Sequence, residues 1–488
     1  MVVDTEKPPT AHISMEETNS IQSETSASQA TTPTETWRLA IVIVSLCCGT
    51  FLVALDTTII SVAVPSISTT FQAFDDVGWY GSAYLLTVTA FQPAFGNVFQ
   101  LFDAKATYLS VAVLFEAQSL SNLPIGGVAI ILVYFFLKLQ DRRAKPEASI
   151  LARLRSFDYI GITLTIAWVS CLILAMQFGS SSSKWRSSKV IGLFVGAGLL
   201  LIAFFLSQWY QGERSTVPLR VARQRSVLMG ALYSFFLEIS IYVTLYYIPF
   251  YFQSAQLVSP TVSGIRGIPL GVSQIAGVVL TGAIVSMTGH YVPFMVLGQV
   301  ISIIGTACLT KLEVGTSTAL WATFLVIAGV GHGLGLQMPF TAVQVVLNDD
   351  DIPIGNAITV FFSQLGAAIA VAIGESIFET SVAHQVRTSH LPIAAETVIA
   401  AGPTGLRSLT TDATILRALQ DAYAYGIRAV MDFGLAAACL AVPFALAMEW
   451  RNVKKEAASK RLAKEATDGD ENEPATTEKQ NNDLEEGK

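Results

Sequence analysis

Long apolar runs recur along this chain, and the first of them carries an acid. Trp37 to Pro65 reads WRLAIVIVSLCCGTFLVALDTTIISVAVP. A helix of roughly 20 apolar residues crosses the hydrocarbon core of a bilayer, so this run is read as a span. Asp56 lies inside it, followed by Thr57 and Thr58. A carboxylate at membrane depth is expensive and is kept where it faces a cavity or a partner. Similar runs fall at Trp79–Val98, Tyr159–Phe178, Val190–Trp209, Val227–Phe252, Ile268–Val285, Val292–Leu309, Leu320–Pro339, Gly355–Phe378 and Tyr425–Met448. The pattern implies an all-α membrane protein that moves something across the bilayer.

Composition closes off the alternatives. Of 488 residues, 52% are hydrophobic and 14% charged, against about 25% charged in a soluble domain. The net charge is −7. The basic residues sit in loops and tails and form no single patch, so nucleic acid is not an expected partner. The five cysteines all fall in apolar runs without metal spacing. His290, His384 and His390 lack the Cys or acidic neighbours of a zinc site. No phosphate-cradling Walker loop occurs, so ATP is not the direct drive. No cofactor and no enzymatic chemistry are expected.

Basic loops set the orientation. Lys138, Arg142, Arg143, Lys145, Arg153 and Arg155 form one group; Arg214, Arg220, Arg223 and Arg225 a second; Arg451, Lys454, Lys455, Lys460, Arg461 and Lys464 a third. All three fall on the cytoplasmic side if two runs separate the first pair of groups and six the second, as they do. The stretch from Thr107 to Leu137 fits less easily. It is too long for one crossing, has Pro124 at its middle, and as one crossing would put the first basic group outside. A short hairpin turning at Ser119–Asn122 satisfies the charge rule, with local thinning of the bilayer around pieces of roughly 15 residues.

Several stretches resemble the major facilitator superfamily, in particular its fungal fourteen-span drug:proton antiporter branch. LDTTIISVAVP at Leu55–Pro65 is similar to that branch's first-helix motif, and DDVGWYGSAYLLT at Asp75–Thr87 to the start of its second helix. NLPIGG at Asn122–Gly127 resembles the start of the sixth helix, and FDYIGITL at Phe157–Leu164 that of the first central helix. YYIPFYFQ at Tyr246–Gln253 with SPTVSGIRGIPL at Ser259–Leu270 resembles the ninth and tenth, and IPIGNAITVFFSQLG at Ile352–Gly366 the thirteenth. The order is the family's, from Trp37 to Trp450. FEAQSL at Phe115–Leu120 resembles the middle of the third helix, only two residues before the sixth-helix motif. The rest of helix 3, helices 4 and 5 and the start of helix 6 are missing from the resemblance. With them go the fourth-helix arginine motif and the fifth-helix Gly-Pro antiporter motif. GNVFQLFDAKA at Gly96–Ala106 is a degenerate cytoplasmic gate motif that keeps Gly96, Asp103 and Lys105.

The resemblance implies a major facilitator fold of two helical bundles plus two central helices, with an incomplete N-terminal bundle and about 12 spans. Its parts would be a disordered cytoplasmic tail (1–36), the incomplete first bundle (37–137), a basic cytoplasmic loop (138–158), the central two-helix insert (159–211), the second bundle (212–449) and a second disordered cytoplasmic tail (450–488). It further implies proton-driven export of a drug, toxin or secondary metabolite from a plasma membrane, or alternatively a vacuolar one. Partners are then the small-molecule substrate, protons and the lipid bilayer. Rival readings are an inactive or regulatory shortened facilitator, an incomplete gene model whose cellular protein is longer, and an uptake facilitator of the same superfamily.

Coupling needs a carboxylate that alternates between charged and neutral. Asp56, Glu238 and Glu375 are the candidates for proton coupling, since each lies in or beside an apolar run. Each could instead be a packing residue. Thr57, Gln92, Tyr246, His332, Gln337, Gln344 and Gln364 are candidates for the substrate pathway. His332 could titrate near neutrality or bond a neighbouring helix, and the glycines around it allow close helix approach. Pro339 suggests a broken helix end. Tyr242, Tyr246, Tyr247, Phe250, Tyr251 and Phe252 are read either as an interfacial belt or as a wall against a greasy substrate. Asp158 reads as a helix N-cap, and Asp349, Asp350 and Asp351 as a solvated loop.

Overall fold

The computed structural model describes residues 37, 41, 43–45, 47–49, 77–118, 123–136, 157–180, 185–460 and 462. Asp56 and Thr57 lie outside them, as do most of both tails and of the loop 138–158. The described elements are helices: α1 Val77–Leu101, α2 Ala104–Gln118, α3 Leu123–Phe136, α4 Tyr159–Ser180, α5 Ser188–Gln211, α6 Leu219–Ala222, α7 Arg225–Ser254, α8 Pro260–Thr288, α9 Val292–Leu309, α10 Thr318–Leu336, α11 Met338–Val346, α12 Ile352–Thr388, α13 Ala395–Ala401, α14 Leu406–Leu409 and α15 Ala413–Leu446. They divide into two compact units.

The first unit comprises Met1–Leu55 and Ala104–Lys145, and its described helices are α2 and α3. Lys105, at the start of α2, donates from Nζ to the carbonyl of Tyr134 near the end of α3 at 2.7 Å. The two helices therefore run antiparallel. They have 15 and 14 residues, about 22 Å each at 1.5 Å per residue, against a core of about 30 Å. The hairpin expected from the charge rule is thus present in its helices, and its turn falls outside the described residues. Gly49 lies so close to α2 that a Cβ there would stand 2.7 Å from the Tyr108 hydroxyl.

The second unit holds α1 and α4–α15. Within it lie the eight described segments long and apolar enough to cross a membrane: α4, α5, α7, α8, α9, α10 continuing into α11, α12 and α15. At its centre α7 packs on α12 and α15, α8 and α9 pack on α10, and α1 lies on α12 and α4. Helix α5 touches mainly α4 and leaves Leu199, Ile202, Phe205 and Trp209 exposed, as a lipid-facing helix would. The break between α10 and α11 falls at Gln337, where Pro339 cannot supply the backbone donor that continues a helix. Glycine lets α10 sit against two neighbours at once. A Cβ on Gly331 would collide with the Ser302 backbone of α9, and one on Gly333 with the Gln274 carbonyl of α8.

The end of this unit that carries the basic residues is tied by polar side chains. Asp158 caps α4, accepting from Gly161 N (2.6 Å), and also accepts from Gln208 Nε2 (2.9 Å), Gln211 Nε2 (2.6 Å), Thr216 N (2.9 Å) and Thr216 Oγ1 (2.9 Å). Burial pushes this carboxyl up, but the hydrogen bonds outweigh it and hold the group below its ordinary value. The N-cap reading of Asp158 stands, and the side chain also staples α5 and the following turn to α4. The acidic triplet is not simply a solvated loop. Arg220 grips Asp351 with two bonds of 2.8 and 3.0 Å, and Asp351 is buried. Beyond α15, Tyr291 donates to the Glu449 carbonyl at 2.7 Å, and Lys460 donates to the carbonyls of Gln344 (2.9 Å) and Leu347 (2.6 Å) at the end of α11.

Candidate functional site

The chemistry concentrates where α7 faces α12. Helix α7 starts at a cap in which Gln224 accepts from Val227 N at 3.0 Å. It then runs for 30 residues. Glu238 lies 13 residues in, roughly 20 Å along the axis and so near the middle of this helix of about 45 Å. Ser363 of α12 donates to Glu238 Oε1 at 3.0 Å. Tyr242 of α7 lies within electrostatic reach of Glu238 and of Tyr84 of α1. Glu238, Tyr242, Tyr246 and Phe250 repeat every four residues, so they share one face of α7.

Two turns beyond Glu238 a second carboxylate enters. Glu375 of α12 is buried and accepts from Gln177 Nε2 of α4 at 3.1 Å. It lies beside Tyr246 and Tyr247. Around it is a small cavity lined by residues of α7, α12 and α15 and by the segment from Ile399 to Pro403. Glu379, one turn on from Glu375, lines the same cavity, and the sequence reading passed over it. Tyr246, Tyr247, Phe250, Tyr251 and Phe252 are each no more than 5% exposed. They are inside the bundle, so the belt reading fails for them and the wall reading matches their position.

The other candidates scatter. His332 on α10 is buried, with Nε2 3.4 Å from the Ser240 hydroxyl, which is itself 3.5 Å from Thr306 Oγ1. It bridges α10, α7 and α9 on the side of α7 away from Glu238. Gln337 and Gln344 are exposed near the basic end, and Gln344 offers its carbonyl to Lys460. Gln92 of α1 is half-buried. Gln364 has a buried Oε1 without a hydrogen-bond partner, as do Thr89 Oγ1 of α1 and Trp168 Nε1 of α4. Gly96 of α1 meets Ala357 and Ile354 of α12, and the two helices run in opposite directions. Counting back from that contact brings Thr89 level with Gln364, while Trp168 packs its ring on Phe361 at 5.9 Å. A buried polar atom normally finds a partner, and these three lie unpartnered on three adjoining helices. Thr89 and Trp168 were not among the residues picked from the sequence. Among the described residues no cluster of His, Cys, Asp and Glu could hold a metal ion.

No protein-family model matches the chain. Named proteins do. It is similar to the Efflux pump aflT of Aspergillus parasiticus, 30% identical, with the match covering 88% of this chain and 99% of that protein. It is similar to the Efflux pump hmp6 of Hypomyces subiculosus, 32% identical over 90% of this chain and 89% of the other. It is also similar to the MFS-type transporter astH of Aspergillus oryzae, 31% identical over 86% and 88%. Among solved structures, an inward-facing, unoccupied bacterial homolog to the human lysosomal transporter Spinster aligns over 86% of this chain and 98% of its own. The TM-score is 0.46 and the identity 17%.

Proposed function

The chain belongs to the MFS-type efflux pumps and transporters known from fungi, and from that premise we propose that it exports a small organic molecule in exchange for protons. It is a multi-pass membrane protein with the all-α facilitator fold. The observation that carries the coupled reading is Glu238. A carboxylate near the middle of α7, held by Ser363 of α12 and beside Tyr242, which in turn lies near Tyr84 of α1, can exchange a proton for a substrate contact as the surrounding helices rock. Glu375 serves the same exchange two turns further out. Asp56 in the first span is the third acid of the set. Gln92, Gln364 and Tyr246 line the route, with Thr57 beside Asp56. His332, Gln337 and Gln344 act in packing and at the basic end rather than on substrate. Secondary metabolites or toxins are the substrate class, and the plasma membrane is the site.

A second reading has its own support. The match to aflT spans 508 positions, more than the 488 residues present here, yet uses 88% of them. The relative therefore carries residues with no counterpart in this chain. The short α2–α3 pair stands where the family's third to sixth helices are expected. On this reading the first bundle is incomplete, and the chain is an inactive or regulatory form, or comes from an incomplete gene model whose cellular protein is longer.

Asp56→Asn tests the first reading. Expressed in yeast stripped of its own pumps, the variant should reach the same membrane as the parent and lose proton-coupled efflux. Undiminished efflux removes Asp56 from the mechanism. A parent chain retained in the endoplasmic reticulum, with no efflux, favours the second reading.

A further inference from the structure

Beyond α15 the chain turns and runs across the basic end of the second unit. Met448 is buried in one apolar cluster with Tyr233 of α7, Met295 of α9 and Met338 of α11. A Cβ on Gly230 of α7 would stand 3.4 Å from Pro339 and 3.7 Å from Met448, so both residues press on the same spot of α7. The Glu449 carbonyl takes the Tyr291 hydroxyl, and the Ala447 carbonyl takes Arg225 Nε at 2.8 Å. Asn452 then fixes the turn after α8. Its Nδ2 donates to the Thr288 carbonyl at 3.1 Å, and Val453 N donates to the Gly289 carbonyl at 2.9 Å. Gly289 has a φ of 76°, and a Cβ there would collide with the Asn452 amide. Glycine meets both demands.

Residues 453–460 are helical. Asn452 caps them, its Oδ1 accepting from Lys454 N (3.0 Å) and Lys455 N (3.2 Å). Val453, Glu456 and Lys460 are partly buried, whereas Lys454, Lys455 and Ala458 are exposed. The first three fall at i, i+3 and i+7, on one face of the helix. Glu456 is paired with Arg451 at 3.4 Å. At the end of that face Lys460 Nζ reaches the carbonyls of Gln344 and Leu347, at 2.9 and 2.6 Å. These carbonyls lie at the C-terminus of α11. The last carbonyls of a helix find no donor within it, and a cation there opposes the negative end of the helix dipole.

Helix α11 has nine residues. It is cut from α10 at Gln337, and a proline-associated break of this kind lets a half-helix turn about one end. Its other end is where Lys460 holds. We propose that residues 449–460 are a strap that latches α11, and that release of Lys460 lets α11 swing about the Gln337 break and open the basic end of the bundle. The bonds suit a latch. They are charge-assisted, and both come from one flexible, partly exposed side chain, so they form and break together. Met448, packed beside Pro339, keeps the strap in place while its far end lets go. Latching itself needs no transport. Only the step that its release would serve rests on the exporter reading.

The test uses the purified full-length chain in lipid nanodiscs, read by hydrogen–deuterium exchange. Lys460→Met keeps an apolar stem and removes the amine. It should speed exchange across α11 at least about fivefold and leave α9 and α12 at the parent's rate. Lys460→Arg should return α11 to the parent's rate. Lys454→Met, on the exposed face of the strap, should change nothing. A parent-like rate across α11 in Lys460→Met overturns the latch, and so does a rise spread over the whole second unit. A measurement on the parent alone covers the case of a variant that does not fold. N-hydroxysuccinimidyl acetate, with mass spectrometry of the products, should acetylate Lys454 and Lys455 at least about fivefold faster than Lys460. Equal rates would overturn the latch without any variant. Efflux by Lys460→Met at equal surface level should differ from the parent's by at least about threefold, and equal efflux would overturn the latch's part in the cycle. A parent that exports nothing takes down the exporter reading and leaves the latch to stand or fall on exchange and acetylation.

Discussion

The two ends of the second unit treat their acids in opposite ways. At the basic end, Asp158 takes five donors and Asp351 takes a two-pronged arginine. Those carboxylates spend their bonding capacity on holding helix ends together. At the other end, Glu375 and Glu379 line a cavity of tyrosine and phenylalanine rings. Acids that fasten helix ends and acids that line a cavity demand different responses to mutation.

The largest stability effect should come from Asp158→Ala. Removing five accepting bonds and leaving buried donors unpaired should cost about 2–4 kcal/mol, read as a lowered unfolding temperature of the purified protein. An unchanged melting profile would break the comparison at its firmest point. Next is Arg220→Ala. It strands Asp351, but the guanidinium is half-exposed, so the loss should be about 1–2 kcal/mol. Glu375→Gln sharpens the contrast from the other side. It keeps the bond from Gln177 in shape and should cost less than about 1 kcal/mol, while export falls at least tenfold. A variant destabilised as much as Asp158→Ala would make Glu375 a fastener too. The acid response has a definite sign. Asp158 is depressed by its hydrogen bonds, so its contribution is present above the ordinary carboxylate value and is lost as pH falls through the lower folded value. The parent should therefore lose more stability than Asp158→Asn over that acid range, as compared by melting at successive pH values. Smallest is Lys105→Ala in the hairpin, where one exposed bond to Tyr134 is lost, about 0.5–1 kcal/mol.

Much of the fold could be read from apolar runs. Val292–Leu309 was marked as a span, and α9 has those limits. The break near Pro339 was signalled by the proline itself. Hydropathy stopped short where helices continue past the membrane. Helix α12 runs ten residues beyond Phe378, to Thr388, because polar residues there extend the helix outside the apolar core. Glu379 was overlooked for the same reason, although its spacing of four from Glu375 put the two on one face. Glu238 was visible as an acid in an apolar run, but Ser363 was not visible as its partner, since 125 residues separate them. The aromatic cluster showed which residues mattered and not which way they faced. Only the packing of α7 on α12 and α15 decides that.

The central claim is that Glu238, inside the bundle, carries the exchange of protons for substrate. It is tested most directly by accumulation of a panel of fluorescent drugs in pump-deficient yeast expressing the chain, with and without a protonophore, for the parent and for Glu238→Gln at equal surface levels. The account predicts that the parent lowers accumulation of at least one compound, that the protonophore abolishes this, and that Glu238→Gln fails to export even with the gradient intact. Export that survives the protonophore, or that Glu238→Gln performs as well as the parent, would contradict it.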